Sequence, residues 1–343
     1  MKLEHLILRN YKNALLFVLL FTSSIFLKAE SRKDTLVYKA WRDTVCIQKA
    51  QLVDLDSNNS ALYFRPKPFQ FAKNVPLDLY QLGKTTFSKK SLPALGVILA
   101  GTVALVAVDQ HITDAAQQFG RYIHLSPVHA FHRIEVFKLP VLDIPGNLNA
   151  AFYFMGEGWP SILIAGGFYS YGLAAHDYRA LQTTSQLAEM FFTLAITTQV
   201  LKRVAGRESP FLAMVPGGKW HPLQNPAYYQ KHVAESDAFP SGHIATAMAT
   251  ITILSGNYPD NKFIKPVGYT LMGLLGYSML NNGVHWISDY PLAIAIGYTC
   301  GKIAMSRGRQ IIPKIGTSHG ATSSLTPAYF GEGGVGLRYY ATF

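Results

Sequence analysis

Six segments of the chain are dominated by small and apolar residues, with polar stretches between them. They are residues 92–108, 159–175, 187–200, 244–254, 266–280 and 291–304. Their length and composition predict helices. All are rich in Gly, Ala, Ser and Thr, which allow helix backbones to approach one another closely. The pattern therefore predicts a bundle of six closely packed helices.

The same segments raise the question of a membrane. A helix needs about 20 mostly apolar residues to cross a bilayer, and each of the six segments is shorter, although flanking residues can extend some of them. If the amino terminus is exported and the first three segments all cross, the chain is inside the cell by Lys202. We predict an extracytoplasmic site, so at least one segment does not cross or the bundle is soluble or peripheral.

The two ends differ from the helical region in composition. Residues 1–29 place three basic residues before an apolar run and end on Ala29, which predicts a secretory signal peptide or an uncleaved anchor. Residues 30–90 are polar and turn-rich, an extension that we expect to pack on the helical domain of residues 91–305. The tail, residues 306–343, alternates apolar and polar side chains near its end, which predicts a short β segment or a loosely packed tail.

Charge and cysteine content narrow the class of protein. The chain has 31 Lys and Arg against 20 Asp and Glu, a formal charge of +11, while 49% of its residues are hydrophobic. This balance favours an envelope protein close to anionic lipid or one that handles phosphorylated substrates. The basic residues are scattered, so nucleic acid is not a predicted partner. Cys46 and Cys300 lie in dissimilar surroundings and predict neither a disulfide nor a catalytic thiol.

The segment GVHWISDY offers a first pair of reactive side chains. His285 and Asp289 are four residues apart and share one face if the segment is helical. A carboxylate so placed keeps one imidazole nitrogen protonated and leaves the other as a base or nucleophile. An ordinary hydrogen bond or helix cap would give the same spacing.

Two further segments offer groups that bind anions. In PSGH, Ser241, Gly242 and His243 open a predicted helix, whose first amides and serine hydroxyl can bind an anion. A capping histidine is the simpler reading of this tetrapeptide. In LKRVAGRESPF, Lys202 and Arg207 lie near a helix carboxyl end, where basic residues are common without any ligand.

Taken in order, the three segments resemble the signature of the type 2 phosphatidic acid phosphatase (PAP2) superfamily. That signature is Lys, six residues and Arg-Pro, then Pro-Ser-Gly-His, then Ser-Arg, five residues, His, three residues and Asp. The matching positions are Lys202, Pro210, Pro240, Ser241, Gly242, His243, Ser278, His285 and Asp289, with the spacing kept. The resemblance covers about residues 90–304 and implies an all-α, six-helix PAP2-type bundle that needs neither a metal nor another cofactor.

The resemblance also implies an activity and a role for each residue. It implies hydrolysis of a phosphomonoester or diphosphate through a phosphohistidine, with His285 as nucleophile, Asp289 orienting it and His243 protonating the leaving oxygen. The implied phosphate ligands are Lys202, Arg207, Ser241 and Gly242. Ser209 and Met279 stand where the family has arginines. In an extended segment Arg207 would share a face with Ser209 and could partly compensate.

The implied substrate is lipid-linked: an isoprenyl diphosphate, a lipid A phosphate or a phosphatidyl headgroup. Residues 220–237 are the predicted contact with the leaving group, and the membrane of the cell envelope is the expected partner. A catalytically silent relative that binds an anionic lipid is the main alternative. There are three weaker alternatives: a vanadate-dependent haloperoxidase, a serine hydrolase using Ser241, and a metal site of His243, His285 and Asp289. The serine hydrolase is disfavoured because no G-x-S-x-G segment occurs around Ser241.

Overall fold

The computed structural model describes residues 33–41, 44–128, 130–136, 139–314, 322–330 and 334–342. The signal or anchor predicted for residues 1–29 lies outside them. The helices are α1 (Gln70–Thr86), α2 (Leu92–Val106), α3 (Asp109–Tyr122), α4 (Leu148–Phe154), α5 (Trp159–Ala174), α6 (Tyr178–Ala205), α7 (Pro226–Lys231), α8 (Gly242–Asn257), α9 (Ile264–Asn281) and α10 (Tyr290–Ser306). The strands are β1 (Lys33–Trp41), β2 (Thr44–Asp54), β3 (Asn59–Phe64), β4 (Phe131–Val136), β5 (Leu139–Pro145), β6 (Arg309–Pro313), β7 (Thr322–Phe330) and β8 (Gly334–Thr342).

All six predicted helices are present, as α2, α5, α6, α8, α9 and α10, and the fold is mostly helical as expected. The largest difference between predicted and observed length is in α6, which is predicted over residues 187–200 but has 28 residues. Its ends are set by capping residues and not by the limits of the apolar run. The Asp177 side chain accepts a hydrogen bond from the Ala180 amide at the start. At the end, Gly206 adopts a left-handed conformation and donates to the Lys202 carbonyl at 2.7 Å.

The region predicted as a turn-rich extension contains regular structure. Strands β1, β2, β3 and β6 form one antiparallel sheet in that order, so the chain after α10 pairs with the chain before α1. Helix α1 also lies in this region. Its sequence is amphipathic and therefore contains no continuous apolar run that would predict a helix. Strands β7 and β8 form a hairpin where the sequence predicts a β segment.

Helices α8 and α10 run parallel and pack closely, which brings two of the motif segments together. A Cβ atom at Gly297 would lie 2.3 Å from the Ala245 carbonyl oxygen, and one at Gly301 would lie 2.9 Å from the Ala249 carbonyl oxygen. Only glycine permits this approach. Because Ser241 directly precedes α8 and Asp289 directly precedes α10, the two helix starts meet, and the Ser241 amide donates to the Asp289 carbonyl at 3.2 Å.

We expect Gly297→Ala to destabilise the protein by about 1 to 3 kcal/mol, because the added methyl group meets backbone and not a flexible side chain. Gly273→Ala on α9 is the matched control, since nothing lies within 4 Å of its added Cβ. Removing a helix-interior glycine there should stabilise by about 0.5 to 1 kcal/mol. Thermal unfolding of both variants measures the difference, and equal melting temperatures would contradict the close packing of α8 on α10.

Helices α6 and α9 bring the remaining motif residues to the same end of the bundle. The Arg179 side chain near the start of α6 donates to the Asn257 carbonyl at the end of α8, at 2.6 Å, so α6 runs antiparallel to α8. Near the end of α9, the sulfur atom of Met279 lies 3.8 Å from the hydroxyl oxygen of Ser241. The ends of α6 and α9 therefore meet the starts of α8 and α10.

A buried carboxyl pair joins α1 to α6 away from these motifs. Asp78 and Glu189 are each 1% exposed, and Arg307 donates to Asp78 at 2.6 and 2.9 Å while Asn74 donates to Glu189 at 2.6 Å. Burial, followed by the hydrogen bond with Asp78, raises the pKa of Glu189 from its ordinary 4.5 to about 9. A neutral Glu189 therefore shares its proton with the Asp78 carboxylate.

This pair predicts a pH-dependent stability. The pKa of Glu189 is higher in the folded than in the unfolded state, so its stabilising contribution is complete below about pH 4.5 and is lost as the pH rises towards 9. We expect Glu189→Gln, which keeps a donor for Asp78, to flatten the fall of the melting temperature between pH 5 and 9. Exposed Asp114→Asn is the control, and parallel profiles for wild type and Glu189→Gln would contradict the assignment.

A helix that crosses a bilayer must be both long and apolar. In the described part of the chain, no single helix is both long and apolar enough to cross a membrane. Helices α2 and α3 satisfy length and composition only as a pair, and they meet at a bend of 67°.

Candidate active site

His285 and Asp289 lie in contact at the centre of the convergent helix ends. His285 is 2% exposed, and its Nδ1 atom is 3.3 Å from Asp289 Oδ2. The contact forms across a 3₁₀ turn, Ile287–Asp289, and not on the α-helical face that the spacing suggested. The Trp286 amide also donates to Asp289 Oδ2, at 2.8 Å. With Nδ1 protonated towards this carboxylate, the lone pair of His285 resides on Nε2.

The PSGH segment lies beside this pair, at the start of α8. The Ser241 hydroxyl accepts from the Ile244 amide at 3.4 Å and caps the helix. Apart from its chain neighbours and the backbone of its own helix, no atom lies within 4 Å of a Cβ built on Gly242, so space is open beside the first amides of α8. The His243 ring centroid is 5.9 Å from that of His285. The structure thus brings both histidines together at a helix start suited to an anion.

Tyr153 of α4 contacts His243 and has no counterpart in the motif segments. The two ring centroids are 4.4 Å apart. Burial, followed by the carboxylates of Glu157 and Asp237, raises the pKa of Tyr153 well above its ordinary 10. The side chain therefore remains a neutral phenol against the imidazole of His243.

Lys202 reaches the site from the last turn of α6, paired with a carboxylate. Its side chain is 8% exposed, and Nζ donates to Asp237 Oδ2 at 2.6 Å. The Tyr229 hydroxyl donates to the other oxygen of Asp237. An ammonium group has three donors, so the bond to Asp237 leaves Lys202 able to donate further.

Arg207 is completely buried and its guanidinium is surrounded by protein acceptors. It lies between two indole rings, 4.8 Å from the Trp220 centroid and 5.2 Å from that of Trp286. Its hydrogen bonds run to Ser288 Oγ (2.6 Å), Asp289 Oδ1 (2.7 Å), Asp109 Oδ2 (2.7 Å) and the Gly217 carbonyl (3.3 Å from Nε and 2.8 Å from Nη2). The side chain predicted to bind phosphate is therefore bonded to the carboxylate that contacts His285.

Asp109 is a site residue that the sequence did not single out. It opens α3, is 0% exposed, and accepts from the Ser288 amide at 3.0 Å, from the Ser288 hydroxyl and from Arg207. It lies far along the chain from the three motif segments. The sequence feature that could have identified Asp109 is its position directly after the apolar run 92–108. A carboxylate at such a position needs either a buried partner or contact with solvent.

The two positions at which the resemblance predicts replaced arginines, Ser209 and Met279, are both buried. Ser209 is 4% exposed and its amide donates to the Ala234 carbonyl at 3.0 Å. Met279 is 0% exposed, and the Ser241 hydroxyl donates towards its sulfur. These two contacts do not favour a serine nucleophile, and a phosphate oxygen can replace the weakly accepting sulfur as the acceptor of the Ser241 hydroxyl.

With the histidines neutral, the acidic side chains of the site outnumber the basic ones. Lys202 and Arg207 contribute two positive charges, and Asp109, Asp237 and Asp289 contribute three negative charges, so the sum is −1. Among the side chains that the structure describes, no group of three or more His, Cys, Asp or Glu is arranged to hold a metal ion.

Part of the chain is similar to known proteins. Residues 183–311 match the model of the PAP2 superfamily. A lipid A 1-phosphatase of Porphyromonas gingivalis is 33% identical over 69 residues, which are 20% of this chain and 16% of that protein. The chain thus matches only a small part of the length of this relative.

Two solved structures are similar at low identity. The LpxE structure of Aquifex aeolicus is 20% identical, with 46% of this chain and 82% of that chain covered and a TM-score of 0.35. A transmembrane PAP2-type phosphatidylglycerolphosphate phosphatase of Bacillus subtilis is 18% identical, with 69% and 94% covered and a TM-score of 0.35. The span that matches the PAP2 superfamily model contains Lys202, the PSGH segment, His285 and Asp289.

Proposed function

We propose that this protein is a phosphatase that hydrolyses a phosphomonoester or diphosphate through a phosphohistidine at His285. The observation that carries the proposal is the contact of buried His285 with Asp289, beside His243 and the open start of α8. A nucleophile with its own orienting carboxylate, a separate acid and fixed donors for an oxyanion is the set that phosphoryl transfer to histidine requires.

The chemistry follows from these positions. His285 Nε2 attacks phosphorus with His243 protonated, the bond to the leaving oxygen breaks, and that oxygen takes a proton from the His243 imidazolium, which becomes neutral. The phosphorylated ring carries a positive charge, which the Asp289 carboxylate stabilises. A water molecule then gives a proton to His243 and attacks phosphorus, the nitrogen–phosphorus bond breaks, and inorganic phosphate leaves. Apart from this water molecule, both steps use only side chains of this site.

The phosphoryl oxygens are proposed to bind at the start of α8 with Lys202. The Ser241 hydroxyl and the Gly242 amide lie at that helix start, where the peptide dipoles favour an anion. The space open beside Gly242 allows an oxygen to approach the backbone. Lys202 is bonded to Asp237 in this structure, so a phosphate would share the ammonium group with that carboxylate.

Asp237→Asn tests whether Lys202 binds phosphate. Removing the carboxylate charge should free Lys202 and reduce repulsion of the substrate, and we expect KM to fall severalfold, by about 1 kcal/mol of binding. Steady-state kinetics on one substrate measure it, beside exposed Asp114→Asn. A raised KM would instead mean that Asp237 holds Lys202 in its productive position.

The exposed surface supports a lipid-linked substrate and contact with a membrane. Apolar side chains on α2, α5 and α6 are 44% to 74% exposed; they are Val97, Leu99, Val103, Ile162, Leu163, Tyr169, Leu173, Phe192, Ile196, Val200 and Val204. Exposed apolar surface of this extent is typical of a protein or membrane interface. We propose an envelope protein with an outward-facing site that acts on an isoprenyl diphosphate, a lipid A phosphate or a phosphatidyl headgroup.

A second candidate is a catalytically silent relative that binds an anionic lipid. The formal charge of −1 favours it, because both cations of the site are already paired with carboxylates. A phosphatase must still attract a phosphate carrying one or two negative charges. Turnover decides between the two candidates.

The deciding experiment measures phosphate release by the purified chain, with a chelator present. The substrates are isoprenyl diphosphate, phosphatidic acid, phosphatidylglycerol phosphate and lipid A phosphate, each in mixed micelles. Release from one of them names the substrate class. No release from any, with retained binding to vesicles of the same lipids, would support the silent relative and overturn the phosphatase.

A further inference from the structure

We propose that Asp109, Arg207 and Ser288 form a positioning unit that holds Asp289 against His285. Arg207 acts within this unit and not as a phosphate ligand. The inference rests on the proposed function and adds to it a residue, Asp109, that lies outside the span matched to the family. Four observations carry it.

The first observation is that the guanidinium of Arg207 has no donor left for a substrate. A guanidinium has five N–H groups. Nε donates to Gly217; Nη1 donates to Ser288 and Asp289; Nη2 donates to Asp109 and Gly217. These five bonds use all five hydrogens. A phosphate oxygen could bind only by breaking one of them inside a fully buried cluster, where an unpaired charge is costly.

The second observation concerns the orientation of Asp289. Arg207 holds its Oδ1 at 2.7 Å, while Oδ2 accepts from the Trp286 amide at 2.8 Å and faces His285 Nδ1 at 3.3 Å. With each oxygen held by a different donor, the carboxylate cannot rotate about its axis. Its orientation in turn selects the His285 tautomer with a lone pair on Nε2.

The third observation is that Asp109 anchors the turn that carries Asp289. One carboxylate binds the Ser288 amide, the Ser288 hydroxyl and Arg207 together. The Ser288 hydroxyl donates to Asp109 and accepts from Arg207, so its single proton and a lone pair are both used. Asp109 therefore fixes the backbone one residue before Asp289 as well as the cation that holds it.

The fourth observation is electrostatic. Arg207 lies between the carboxylates of Asp109 and Asp289, and the three fully buried groups sum to −1. When His285 attacks phosphorus its ring becomes positive, and the local charge is then balanced. A low dielectric strengthens this interaction. The unit therefore favours the transition state over the ground state and should affect kcat more than KM.

Asp109→Asn is the principal test, with exposed Asp114→Asn on the same helix as its control. We expect kcat to fall by about 10- to 100-fold with KM within about twofold, as for other residues that orient a reactive group. Ser288→Ala, which keeps the amide bond to Asp109, should lower kcat by a smaller factor if Asp109→Asn fails to fold. A rise in KM with kcat unchanged in either variant, or in Arg207→Lys, would return Arg207 to phosphate binding.

A second readout does not depend on turnover. Nitrogen-15 NMR of the histidine rings should show His285 protonated on Nδ1 in the wild type and a mixture of tautomers in Asp109→Asn and Ser288→Ala. An unchanged His285 tautomer in both folded variants would overturn the positioning role. If the wild type releases no phosphate but the tautomer shifts as expected, the proposed function fails and the positioning unit stands.

Discussion

Replacing His285 with alanine is expected to lower kcat for phosphate release by at least about a thousandfold while the protein stays folded, because the variant has no nitrogen to accept the phosphoryl group. The side chain is 2% exposed, but alanine leaves the Asp289 carboxylate bonded to Arg207 and to the Trp286 amide. The variant should therefore lose phosphate release while its melting temperature stays close to that of the wild type. His111→Ala, an exposed histidine on α3, is the matched control for both measurements.

A phosphoenzyme trap makes the test of His285 more specific. Quenching the wild type during turnover of a phosphorus-32 substrate in alkali should retain label on the protein, since phosphohistidine survives alkali and is lost in acid. His285→Ala should retain none. Label retained in the variant, or residual release above about 1% of wild type, would assign the nucleophile to another residue.

Replacing His243 with glutamine is expected to lower kcat by about 100- to 10,000-fold on an alkyl phosphate, because the leaving alkoxide then departs without a proton. The His243 ring lies beside His285, with 5.9 Å between centroids, and packs on Tyr153 at 4.4 Å. Glutamine keeps a polar side chain of similar size at the start of α8. The defect should shrink on an aryl phosphate, whose phenolate leaves readily without protonation.

The comparison of the two leaving groups identifies the role of His243. A general acid predicts a large loss on the alkyl substrate and a small one on the aryl substrate. An equal loss on both would make His243 a phosphate ligand or a structural residue. His111→Ala again controls for the removal of a histidine from the surface.

The bundle was predictable because its helices are apolar over most of their length. Burial of such runs is favourable almost regardless of their neighbours, so α2, α5, α6, α8, α9 and α10 follow from composition alone. Helices α1 and α3 are amphipathic and polar on one side, so no apolar run reveals them. The sheet of β1, β2, β3 and β6 depends on pairing between distant segments, which local pattern does not encode.

The candidate site was predictable only as far as residue types at fixed spacing reveal it. Lys202, Ser241, His243, His285 and Asp289 were singled out together, and the structure brings their segments to one end of the bundle. Asp109 and Tyr153 were not, because each is a single polar residue without a motif around it, and Asp237 was included only as the last residue of the segment 220–237. Asp109 bonds to Arg207 and Ser288, which are 98 and 179 residues away, and Asp237 bonds to Lys202, which is 35 residues away.

By itself, then, the sequence determined the helical class of this protein, the similarity of residues 183–311 to the PAP2 superfamily model and the residue types available for chemistry, since apolar runs and motif spacing are local properties of the chain. Only the tertiary structure decided what Arg207 bonds to. The guanidinium meets Asp109 and Asp289 because α3 and the start of α10 pack around it, and a fully buried cation must satisfy its five donors within that packing.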